Sequence, residues 1–180
     1  IVWADLCKLD YTCSEVQRFM AEVFLYWCRK GVDGFRCDAG YMLPVEAWKY
    51  IEAKVRSEYP DTVFMLEGLG GPTDKQEVLL RDCGLDWAYS ELFQNYSRNE
   101  VESYVGYSSY VSGSCGTLIN FAETHDNNRL AATSQMYAKM RCALMCFLSE
   151  GGTFGFTNGV EWFAAEKVDV HGSSALNWGA

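Results

Sequence analysis

The sequence predicts an α/β protein built on parallel strands, either a doubly wound sheet or a (β/α)8 barrel. Three observations carry that expectation. Short apolar runs of strand length alternate with longer stretches whose apolar residues recur every three to four positions, the order expected of βαβ units. Glycine pairs and prolines punctuate the changes of period, as at Gly70-Gly71-Pro72 and Gly151-Gly152. Three of the strand-like runs end on a carboxylate, at Asp38, Glu67 and Asp126, and functional side chains of parallel α/β folds gather at C-terminal strand ends.

The elements follow in order. Ser14 with Gln17 three residues later reads as a capping box, and Val16, Phe19, Met20, Val23, Phe24 and Trp27 mark a helix ending near Lys30-Gly31. Gly31 to Ala39 is the first strand, and side chains two apart share a strand face, so Arg36 and Asp38 point the same way. An arginine beside a carboxylate keeps it ionised, which suits either a nucleophile or a buried salt bridge. Val45 to Glu58 is an amphipathic helix stopped by Tyr59-Pro60, and Thr62 to Leu66 is a fully apolar strand that runs into Glu67. A carboxylate there must be solvated, paired or neutral, so Glu67 belongs at a mouth of the fold or has a raised pKa.

Glu77 to Asp82 reads as a helical turn, Leu85 to Tyr89 as a strand and Asn99 to Tyr110 as a weakly amphipathic helix. The strand Leu118 to Ala122 leads into Glu123-Thr124-His125-Asp126. A helix over Ser134 to Leu148 shows the stripe Met136, Met140, Leu144 and Phe147, and Thr153 to Phe156 is the last strand.

Composition limits the function. At 180 residues and 49% hydrophobic the chain can bury one core. A net charge of −9 without a Lys/Arg cluster argues against nucleic acid, and no apolar run is long enough to span a membrane. The eight cysteines sit singly in apolar segments, read as packed reduced thiols and hint at a cytoplasmic setting. Cys142 and Cys146 share a helix face without further metal-ligand partners, and with only His125 and His171 a metal-binding α/β protein is disfavoured.

Two carboxylates in different environments can divide into an ionised nucleophile and a protonated acid, the pattern that cleaves glycosidic bonds. Asp38 beside Arg36 suits the nucleophile and Glu67 the acid. Asp126, next to His125, would stabilise positive charge on a sugar ring or bind its hydroxyls.

Gly34-Phe35-Arg36-Cys37-Asp38-Ala39, Leu66-Glu67 and Phe121-Ala122-Glu123-Thr124-His125-Asp126 resemble, in order, three sequence regions of the α-amylase superfamily, the family-13 glycoside hydrolases. Trp3-Ala4-Asp5-Leu6 and Gly152 to Glu161 are similar to flanking segments of that family. The resemblance covers essentially the whole chain. It implies about strands 4–8 of a (β/α)8 TIM barrel, a single domain over residues 1–180 cut at both ends, with the N-terminal half of the barrel missing and the isolated chain poorly folded and inactive.

It further implies a retaining hydrolase or transglycosylase acting on α-glucans: Asp38 attacks the anomeric carbon, Glu67 is acid and base, and Asp126, His125 and Arg36 bind or orient. Tyr41 and Trp87, near strand ends, are candidates for stacking on sugar. No cofactor is needed for that chemistry; a structural calcium near Asp5 is compatible with the resemblance, although a plain loop aspartate explains it as well. The competing reading is a catalytically inactive barrel that binds carbohydrate or acts as a scaffold. The sequence departs from the family's pattern in three places: Tyr41-Met42 replaces a Lys-His pair, Gly68-Leu69-Gly70 replaces an aromatic after the acid, and Phe154 replaces a proline.

Overall fold

Strands form where a short apolar run has a helix face to cover it, and in the computed structural model five do so. The structure describes residues 7–167, in two units that divide between Ala88 and Tyr89. The proposed calcium residue Asp5, its Trp3 to Leu6 segment, His171 and the Gly172 to Gly179 loop lie outside the described residues.

In the first unit, α1 (Ser14–Arg29) leads into β1 (Gly34–Cys37), α2 (Val45–Arg56) into β2 (Val63–Leu66), and α3 (Thr73–Asp82) into β3 (Trp87–Tyr89), which crosses the boundary. β1 and β2 are parallel neighbours in the register Gly34 to Val63 and Cys37 to Leu66, and β2 and β3 pair Met65 with Trp87. One sheet face is the core. Phe64, Leu66 and Ala88 are fully buried with Leu25 of α1, Ile51 and Val55 of α2 and Leu79 of α3. Phe24 packs edge-on to Phe35, with ring centroids 4.7 Å apart. The opposite face is open, a groove lined by Gly34, Arg36, Val63, Met65 and Trp87.

At the N-terminal strand ends, Arg56 ties this unit together. Its guanidinium donates to Glu52, to the Thr62 carbonyl at 3.2 Å and to Asp86 at 2.7 Å. Asp86 in turn accepts from the Phe64 amide at 2.8 Å.

The second unit holds α4 (Arg98–Ser114), β4 (Thr117–Asn120), α5 (Gln135–Phe147) and β5 (Thr153–Phe154). β4 and β5 are parallel, pairing Ile119 with Thr153. Its core contains Leu92, Val111, Leu118 and Met145, and Phe121 packs on both Tyr89 and Phe93 at 5.0 Å.

Three local expectations are corrected. The Ser14 capping box does not form, because Cys13 is the N-cap of α1 and makes no side-chain cap; Gln17 instead donates to the Tyr11 carbonyl at 2.7 Å. A true capping box opens α4, where Ser97 and Glu100 bond reciprocally. On α5, Met136, Met140 and Phe147 are exposed while Ala138, Arg141 and Met145 face inward. Arg141 can be buried because the Phe93 and Asn95 carbonyls accept its guanidinium, at 2.7 and 3.4 Å. α3 is also longer than a turn, beginning at Thr73 behind Pro72. All eight cysteines are free, and burial pushes the Cys37 thiol up to about 12, slightly offset by nearby Arg36.

Candidate active site

Asp38 and Glu67 are each the first residue past a strand, and the register that pairs Cys37 with Leu66 sets them side by side. The Glu67 amide donates to the Cys37 carbonyl at 3.0 Å, extending the ladder by one bond. The chain then turns sharply, with Ala39 in the left-handed region at φ 44° and ψ 36°. That conformation strains a residue with a Cβ. Here it aims the Ala39 amide at Glu67 Oε2, 2.8 Å away, while the Leu69 amide donates to Oε1 at 2.9 Å. Both oxygens of the half-buried carboxylate are thereby fixed by backbone.

Asp38 is open to solvent, its side chain 78% exposed. Arg36 Nη1 donates to its Oδ1 at 2.5 Å, so the two do share a face. Thus Arg36, Asp38 and Glu67 form one cluster within the first unit. Tyr41 lies beyond them in a short 3-10 turn, its ring against the backbone at Gly71, where a Cβ would approach to 2.7 Å. Trp87 stands lower: it pairs with Met65, itself paired with Arg36, one pleat before Glu67, and is 41% exposed in the open groove.

In the second unit, His125 and Asp126 lie on the loop after β4, with His125 Nε2 3.3 Å from Asp126 Oδ2. Sequence reasoning overlooked what holds this loop. Glu123 and Arg129, both almost fully buried, form an ion pair at 2.5 Å between Oε1 and Nε. Their signal was legible as opposite charges bracketing the polar stretch 124–128. The Ala39 amide left no such trace, since alanine's identity says nothing of its φ. Among the described residues no group of three or more His, Cys, Asp or Glu is placed to hold a metal ion.

Parallel βαβ units with carboxylates just past successive strands define the fold class: part of a (β/α)8 barrel. The chain is 28% identical over 152 residues to the α-1,4-glucan:maltose-1-phosphate maltosyltransferase of Cereibacter sphaeroides, covering 83% of the chain and 25% of that protein. It is 22% identical over 176 residues to the cyclomaltodextrin glucanotransferase of Niallia circulans, covering 92% of the chain and 25% of that protein. Among solved structures it superposes on an α-amylase from Lactobacillus plantarum with a TM-score of 0.69 and 24% identity, over 93% of this chain and 44% of that one. No family model matches the chain. It spans about a quarter of the length of these curated relatives, which are α-glucan-active enzymes.

Proposed function

We propose that this chain supplies the nucleophile and the acid/base of a retaining α-glucan hydrolase or transglycosylase. The observation that carries the reading is the pairing of Asp38 and Glu67 past adjacent parallel strands, with Glu67 bonded to the amide that follows Asp38. An Asp38 oxygen attacks the anomeric carbon from the side opposite the leaving oxygen. The glycosidic C–O bond breaks as the Glu67 proton passes to that oxygen, leaving a glycosyl ester on Asp38. Glu67, now a carboxylate, takes the proton of an incoming water or sugar hydroxyl, whose oxygen attacks the same carbon and releases Asp38.

Exposure suits Asp38 for attack, and Arg36 orients it from below. His125 and Asp126 bind sugar hydroxyls near the scissile bond, where contacts that tighten as positive charge develops speed the reaction. Tyr41 and Trp87 offer apolar faces to the glucan. Names of relatives acting on α-glucan and maltodextrin support the substrate class. The substrate is then an α-glucan rather than a nucleic acid or a membrane lipid, and a chain with net charge −9 agrees with that.

A full-length enzyme treated with a fluorinated glycosyl donor, digested and mapped, tests the reading. The label is expected on Asp38, with retained anomeric configuration in the product. A label on another residue, or an inverted product, overturns it.

A further inference from the structure

The loop that presents His125 and Asp126 is knotted at both ends by one buried ion pair. The Glu123 and Arg129 side chains are only 4% and 1% exposed. Glu123 Oε2 accepts from the Leu130 amide at 2.6 Å, and Arg129 Nη1 donates to the Asn158 carbonyl at 3.0 Å. The Thr157 hydroxyl donates to the Glu123 carbonyl. The end of β4, the start of the turn at Leu130 and the segment after β5 therefore meet at one guanidinium and one carboxylate. Gly159 makes the room: its φ is +96°, and a Cβ there would stand 3.1 Å from Arg129 Nη2 and 3.0 Å from Ala164 Cβ.

Between the two anchors the loop holds itself lightly. Thr124 Oγ1 donates to Asn127 and accepts from the Asp126 amide at 3.2 Å. Residues 126–128 are exposed. The two members of the ion pair thus flank His125 and Asp126 in the chain. An ion pair this deep adds little net stability over an apolar pair of the same volume, so packing alone gives no reason for it. What it has that an apolar pair lacks is direction, since the carboxylate takes the Leu130 amide and the guanidinium the Asn158 carbonyl.

We propose that Glu123 and Arg129 are positioning residues that fix the geometry of His125 and Asp126 for the reaction. The catalytic part of this inference rests on the function proposed above. In the full-length enzyme, Glu123→Leu/Arg129→Met removes the knot while leaving no buried charge unpaired. Its kcat on maltooligosaccharides should fall on the order of 10²-fold, the loss that a misplacement of about 1 Å produces. In an Asp126→Asn background the same double substitution should cost far less, because residues acting as one unit are not additive. Equal losses in both backgrounds, or wild-type kcat in the double variant, overturn the proposal.

Should the double variant fail to fold, Arg129→Lys keeps the charge but replaces the planar fork, whose Nη1 reaches Asn158, by a single nitrogen. It too should lose kcat, and again less in the Asp126→Asn background; wild-type kcat overturns the proposal. A parent enzyme with no activity on α-glucans overturns the proposed function instead. Hydrogen exchange at the Asp126 and Leu130 amides then still reads the knot, and unchanged protection in the double or Lys variant overturns it.

Discussion

Glu67 receives two backbone amides, and one of them comes from the residue next to the proposed nucleophile. If Glu67 is the acid, Glu67→Gln should lower kcat on maltooligosaccharides by about 10²–10⁴-fold. On a glycosyl fluoride, whose leaving group needs no proton, the loss of the first step should be much smaller; burst kinetics checks this, and equal losses on both substrates contradict the assignment. Ala39 is the strained member of the cluster. A β-branched side chain fits its left-handed conformation worse, so Ala39→Val should destabilise by about 1–3 kcal/mol and loosen Glu67, whereas Ala39→Gly should leave stability unchanged or raised. Urea melts measure the first effect. The strand-end carboxylates Asp38 and Glu67 were legible in the sequence because an apolar run that stops on Asp or Glu is costly unless function or pairing keeps it there, whereas Asp126, also read as a strand end, lies on the loop after β4 ends at Asn120. The strain at Ala39 was not legible, because φ is set by the need of the chain to turn between Asp38 and Gly40.

At the scale of elements, α5 separates what periodicity can tell from what it cannot. Its apolar stripe was plain in the sequence, but the buried face is Ala138, Arg141 and Met145, and only the carbonyls of Phe93 and Asn95 decide that the arginine faces inward. Nothing in α5 itself encodes those partners. Met145→Ala should therefore cost about 2–5 kcal/mol, as for other buried apolar truncations. Phe147→Ser should stay within about 0.5 kcal/mol, the usual size for a surface change. Comparable losses in thermal melts at both sites would contradict this orientation of the helix. The strands were legible as apolar runs, β2 almost to the residue, while β1 is shorter than the Gly31 to Ala39 stretch and β4 stops at Asn120 rather than Ala122. Helix starts were legible to within a residue except in α3. α3 begins with the polar stretch Thr73 to Gln76, which carries no apolar period, and the Pro72 that marks its start was read as part of a loop.

For the whole molecule, the proposed chemistry divides across two units of the chain, with Asp38 and Glu67 in one and His125 and Asp126 in the other. The curated relatives are about four times as long as the matched stretch. We expect the 180 residues expressed alone to release no reducing sugar from starch, while the full-length protein does; robust hydrolysis by the short chain would show that it is self-sufficient. Acidity belongs to this scale as well. With 24 acidic against 15 basic residues, retention on an anionic resin should be absent at neutral pH, as the field of a net-negative surface requires.

The bond from the Ala39 amide to Glu67 also gives the molecule an internal reporter. A peptide proton held 2.8 Å from a carboxylate oxygen senses every displacement of that group, so the Ala39 and Leu69 resonances of a nitrogen-15 spectrum should shift together whenever Glu67 moves. Recording both resonances before and after Asp38 is esterified would report on the setting of Glu67 without a label on either side chain of the proposed pair.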